Sequence, residues 1–267
     1  MIDSTRLYFK YIGINFRSQL QYRASFVMLT VGTFSMTIFE FMGIWVLFSR
    51  FGTLKGWSLA EIALFYGMIS ISFAISEAFG RGFDMFALQV NSGEFDRSLL
   101  RPRTTVLQVL AHDFQLIRSG RLLQGLIILI WASVHLGINW TLLKMLLLLL
   151  AIFGGVMLFT GLMIIQATMC FWSTQSLEII NSFTYGGVET AQWPLSIYNK
   201  WFVKIFTFII PLACVNYFPV IAILGKNDVL NSPVWFRWLS PLVGVIFLLI
   251  SIRVWEFGVK HYRSTGS

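Results

Sequence analysis

The chain reads as an all-α polytopic membrane protein with six transmembrane helices. Three observations predict that class: 57% of its 267 residues are hydrophobic, only 12% are charged, and the charges fall between long apolar stretches. A soluble domain carries about 25% charged residues to cover its surface, so this composition is matched to lipid. Each crossing needs about 20 apolar residues, and six of them leave little chain for a separate soluble domain. The net charge of +8 would point to nucleic acid in a soluble protein. Between apolar spans it points to anionic headgroups instead, and nucleic acid is excluded as a partner.

Residues 5–23 fit an amphipathic interfacial helix. At 100° per residue, Phe9, Ile12, Phe16 and Leu20 share one face, with Arg6, Lys10, Arg17 and Gln21 opposite, a pattern suited to lying in the headgroup layer. The same cations, with Arg23, interrupt the segment before an apolar core can form, so it is not expected to be a cleaved signal peptide.

Span one covers 24–49. A loop with Arg50, Lys55 and Trp57 leads to span two at 59–80. The longest polar interval is 81–121. Within it, Asn91 or Ser92 is placed to cap a short helix bearing Glu94, Asp96 and Arg97, with Pro102 closing it. That helix presents Phe95, Leu99 and Leu100 beside mixed charge, the composition of a docking element; a solvated loop with a buried Leu-Leu pair fits the composition equally.

Span three is assigned to 104–137 with a cytoplasmic extension, because its charge-free part is too short to cross unless the preceding helix runs into it. Span four covers 140–172. The interval 174–233 allows two readings: either 174–192 is span five and 194–224 enters and leaves on one side, or 201–225 is span five. Hydropathy alone favours the second. The last span is 236–256.

Thirteen of the 20 basic residues fall in 1–23, 81–121 and the segment after 252, which places both termini in the cytoplasm. Trp45, Trp57, Trp140, Trp235 and Trp238 mark outer span ends, and Trp172 and Trp255 inner ones. Arg118 and Arg121 are expected to mark the inner interface by snorkelling. Cys170 and Cys214 lie in apolar runs and fit buried free thiols.

No G-x-x-x-x-G-K-[ST] loop, H-E-x-x-H or G-x-S-x-G motif occurs, and no Cys/His cluster has metal spacing. Catalysis is therefore not expected, and if ATP drives the protein, another chain must bind it. Carboxylates within spans are costly and face the bundle, a partner or a substrate route. Glu40, Glu77, Glu178 and Glu189 are the candidates. A secondary transporter would show repeated spans, and none is found. A lipid-modifying enzyme would need an acid–base cluster, for which His112-Asp113 is the only pair.

The run Gly93-Glu-Phe-Asp-Arg-Ser-Leu-Leu-Arg-Pro102 resembles the G-x-x-D-x-x-L-x-R-P signature of an ABC-2-type bacterial permease subfamily of about 260 residues. Gln21-Tyr-Arg-Ala-Ser-Phe26 and Trp193-Pro-Leu-Ser-Ile-Tyr198, followed by Pro211 and Pro219, are similar to it too. The resemblance implies an exporter subunit of the bacterial inner membrane. It pairs with an identical or related permease above two ABC ATPase subunits, which hold the ATP and Mg; this chain holds no cofactor. Residues 81–103 become the coupling region, with Gly93, Glu94, Phe95, Asp96, Arg97, Leu99, Leu100, Arg101 and Pro102 at the ATPase. The resemblance also implies a re-entrant hairpin at 194–224, broken at Pro194, Pro211 and Pro219, and hence span five at 174–192. The cargo it implies is amphipathic.

Overall fold

The computed structural model describes residues 2–172, 177–228 and 230–262; the side chains of 2–5 and 177–183 lie outside that description. Among the described residues the regular structure is helical. Helix α1 (Ile2–Gln21) meets α2 (Arg23–Phe51) at Tyr22. Next come α3 (Leu59–Asp84), α4 (Phe86–Asn91), α5 (Glu94–Leu99) and α6 (Thr105–Leu110). They are followed by α7 (Ser119–His135), α8 (Leu142–Met169) and α9 (Leu177–Ala191). The chain ends with α10 (Lys200–Lys204), α11 (Leu212–Val215), α12 (Tyr217–Leu224), α13 (Val234–Leu239) and α14 (Leu242–His261).

Five helical stretches, built on α2, α3, α7, α8 and α14, are long and apolar enough to cross a membrane. A bent pair, 200–209 with 212–224, would make a sixth. The chain is thus a multi-pass membrane protein. Helix α3 forms the centre, packed between α7 and α8, while α14 covers the far side of α8 and α2 lies outside α7. Val27, Met28, Val31, Met36 and Phe39 of α2 consequently stay exposed, the expected state of a lipid-facing helix.

Lipid supplies no hydrophobic force between helices, so close backbone approach does much of the holding. A Cβ on Gly244 would fall 2.1 Å from the Gly154 carbonyl oxygen, so only glycine allows α14 to lie this close to α8. Start signals are local. Ser58 caps α3 through a reciprocal box, its hydroxyl accepting from the Glu61 amide while the Glu61 carboxylate accepts from the Ser58 amide.

Several expectations are corrected. Helix α6 does not run into α7: residues 111–115 are non-helical, and a 3-10 turn at Leu116–Arg118 abuts α7 instead. Gln19 of α1 satisfies that break, its carboxamide nitrogen donating to the Phe114 carbonyl and its oxygen accepting from the Leu116 amide at 2.8 Å. Neither Asn91 nor Ser92 caps α5. The N-cap is Gly93 at φ 69°, a left-handed turn that favours glycine and leaves no side-chain cap.

Pro211 sits at the break of the 75° bend, and Pro194 precedes the 3-10 turn at Leu195–Ile197. Pro219 follows a smaller break, at Asn216 between α11 and α12. It occupies the first turn of α12, where an amide would have no intrahelical acceptor to lose. Trp255 is fully buried and Trp57 nearly so, so neither belongs to an interfacial belt. Cys170 and Cys214 are buried free thiols.

The two ends of 195–226 lie against the same loop. The Trp57 indole donates to the Ser196 hydroxyl at 2.9 Å, Lys55 Nζ to the Ile197 carbonyl at 3.1 Å, and Lys226 Nζ lies 2.7 Å from the Glu61 carboxylate. All three partners belong to the α2–α3 connection and the first turn of α3, the end remote from α5.

Candidate functional site

Two features qualify: the surface around α5, and a charged seam between α2, α3 and α7. Around α5 the ten-residue motif divides by depth. Phe95 is fully buried and does not offer itself to a partner. Its ring packs edge-on to Phe86 at 4.9 Å and to Tyr262 at 5.1 Å, within a cluster that also holds Phe171 and Trp255. The reason lies in helix geometry: on a six-residue helix one face must turn inward, and the largest apolar side chain takes it. Leu99 and Leu100 remain exposed, Leu100 by 87%.

Arg97 and Arg101 are exposed and make no ion pair among the described residues, while the Glu94 carboxylate lies 3.5 Å from His112 Nε2. Asp96 faces back toward the chain's own C-terminal segment. Burial and the Asp96 carboxylate beside it push the Tyr262 hydroxyl up to about 12. Pro102 is exposed and Gly93 forms the hinge into the helix.

The seam is built on Glu77, which is 2% exposed. Arg118 and Arg121 approach its two oxygens at 3.4 and 3.5 Å, and Arg121 also stands 3.9 Å from Glu40. The Arg121 guanidinium lies 5.3 Å above the Phe73 ring as well. The arginines therefore turn into the bundle instead of snorkelling out. Two carboxylates and two guanidiniums make a neutral set, the condition under which charges survive burial. The Tyr66 hydroxyl, which donates to the Thr37 carbonyl at 3.1 Å and lies 3.4 Å from Glu40, joins α3 to α2; Gln124 of α7 donates to both the Thr37 carbonyl and Tyr66.

Below this set, Asp84 pairs with Arg81 and accepts from Gln166 at 3.4 Å and from the Tyr185 hydroxyl at 3.2 Å. Of the four candidate carboxylates, Glu40 and Glu77 share Arg121. Glu189 is exposed on α9 within electrostatic range of Glu40 and Arg121. The side chain of Glu178 lies outside the described residues.

On the outer surface of α1, Phe9, Phe16, Arg6, Lys10 and Arg17 are exposed, while Ile12 and Leu20 are half-buried. Among the described residues no group of three or more His, Cys, Asp or Glu is placed to hold a metal.

The family model described as ABC-2 family transporter protein matches residues 34–266. The chain belongs to the ABC-2 transporter family. No curated protein and no solved structure matches it. As an ABC-2 permease it is a membrane component of a transporter.

Sequence reasoning about this ABC-2 permease gave Arg118 and Arg121 to the interface instead of to Glu77, and missed Gln166 and Tyr185. A usable signal existed for the arginines. Glu77 sits about two turns before the end of α3, and Arg118 and Arg121 open α7, so opposite charges stand at one depth on neighbouring helices. Nothing comparable marks Tyr185, whose contact depends on how α9 seats against α3.

Proposed function

We propose that this chain is the transmembrane subunit of an ABC exporter in a bacterial inner membrane, with both termini cytoplasmic. Separate ABC ATPase subunits supply ATP and Mg. Helix α5 and the residues after it are the coupling element: Leu99, Leu100, Arg97 and Arg101 meet the ATPase, while Phe95 fastens the element to the bundle. A second permease, identical or related, completes the route. An amphipathic cargo crosses between the two along α2, α3 and α9, past Glu40, Glu77, Glu178 and Glu189. In this reading α1 lies in the headgroup layer, α9 is the fifth crossing, and 194–224 is a re-entrant hairpin whose second arm, 211–221, is buried in protein.

The observation that carries the reading is the division of α5: one aromatic sunk into the core shared with α8 and α14, and two leucines and two arginines left outward at the motif's end. An apolar pair ringed by unpaired cations is a docking surface at the scale of a groove-binding helix. The test is co-purification with a candidate ABC ATPase subunit. The Arg97→Glu/Leu100→Glu variant should insert normally and lose the complex. Full retention of the complex would move the docking site elsewhere.

A further inference from the structure

A cavity of about 690 Å³ opens at the end of the protein that carries the α2–α3 loop. Its walls come mainly from Leu195, Val203, Phe208, Phe218 and Phe236, so it is predominantly apolar, and its volume lies in the range that holds a small ligand. The backbone around it is irregular. Residues Ile205–Ile209 form a π-helical turn, and Thr207 and Phe208 of that turn line the cavity. Such turns widen a helix locally and recur at functional sites.

The charges at the opening are unusual. Lys200 and Lys204, one helical turn apart on α10, line the cavity and are exposed. Between Pro194 and Ser240 the only acidic residue is Asp228. It is fully engaged, accepting from the Leu230 amide at 3.0 Å and the Ser232 amide at 2.7 Å. The other cations of this region have partners. Lys226 pairs with Glu61 at 2.7 Å, and Arg237 donates to the Ser232 carbonyl at 2.9 Å. Lys200 and Lys204 have none among the described residues. Trp201 and Trp235 stand exposed nearby, placed as amphipathic rings are at a membrane surface.

Two unpaired ammonium groups over a hydrocarbon-lined cavity fit one chemistry, an anion carried on an alkyl chain. We infer that the cavity is a binding site for an anionic phospholipid of the surrounding membrane, one acyl chain inside and the phosphate on Lys200 and Lys204. The lipid braces α10 and the π turn against α12 and α13, filling a space that protein atoms leave open. This requires only that the chain be embedded in a bilayer, and it is independent of which ATPase the protein binds.

The experiment is native mass spectrometry of the purified full chain, titrated with phosphatidylglycerol or phosphatidylcholine of identical acyl chains. A diazirine-bearing phosphatidylglycerol then locates the chain by peptide mapping. Phosphatidylglycerol should bind preferentially, and Lys200→Gln/Lys204→Gln should weaken it by about 30-fold, the effect expected for two surface lysines. Phosphatidylcholine binding should not change, and Lys200→Arg/Lys204→Arg should retain the preference. Crosslinks should fall within 203–218 or 233–236. Equal affinity for the two lipids, a preference that survives the Gln variant, or crosslinks confined to other helices would each overturn the assignment.

Discussion

The Phe95 ring lies 6.1 Å from the Trp255 indole, edge-on, and both side chains are fully buried. Trp255 is fixed in turn, donating from its indole to the Thr105 hydroxyl at 2.9 Å and packing on Phe83 at 5.1 Å. Helix α5 is therefore fastened to α14, a helix more than 140 residues further along the chain. Any force on α5 reaches the last span directly.

Truncating Phe95 to Ala should cost about 3–5 kcal/mol, the range for a large aromatic in a core, and lower the melting temperature in detergent. Leu99→Ala on the same helix removes an exposed side chain, so it should stay within about 0.5 kcal/mol of wild type while weakening the ATPase complex. If both variants melt alike, the division of the helix into anchor and contact is wrong.

Glu77 holds two arginines at once. Glu77→Gln leaves the half-buried Arg118 guanidinium uncompensated, while Arg121 keeps Glu40, so the loss should fall below about 3–5 kcal/mol, the penalty for a fully buried pair. Adding Arg118→Met should recover part of that loss, because the lone charge goes with its partner. A double-mutant cycle on thermal unfolding measures the coupling. Strictly additive losses would show that the seam is not a unit.

Gly244 meets the Gly154 carbonyl oxygen with no space for a methyl group. Gly244→Ala should force α14 away from α8 and destabilise by about 1–3 kcal/mol, the cost of overpacking. Gly13→Ala, where nothing lies near a new Cβ, is the matched control and should not destabilise. Size-exclusion profiles after heating distinguish the two.

At the opposite end from α5, Asp228 organises the loop before α13. Burial opposes its charge, but the Ser232 hydroxyl, the Leu230 and Ser232 amides and the nearby Arg237 outweigh that and hold its carboxyl below the ordinary value of 3.8. A lowered folded pKa contributes stability that is complete above the ordinary value and lost as pH falls through the folded one. Proteolysis of this loop should therefore be flat from about pH 7 to about pH 5. Asp228→Ala, which orphans two amides, should cost about 1–3 kcal/mol and raise cleavage at every pH.

Much of the architecture is written along the chain. Apolar run length marks the helices Arg23–Phe51, Leu59–Asp84 and Leu142–Met169 to within a few residues, because the bilayer sets their length and exclusion of charge sets their ends. The capping box at Ser58 and Glu61 is equally local. The ABC-2 signature at Gly93 to Pro102 is legible for the same reason, being contiguous.

The partners of each side chain are another matter. Composition places Phe95 with Leu99 and Leu100 and gives Arg118 and Arg121 to the headgroups. Packing sends Phe95 inward to Trp255 and turns the arginines onto Glu77. The 3.6-residue period orders residues around one helix but carries no information about which neighbour stands opposite, and that is set only when α3, α7, α8 and α14 meet. The bend at Pro211 has a local cause. That Ser196 and Lys226 return to one loop follows from the contacts of Trp57 and Glu61, residues more than 130 positions away in the chain.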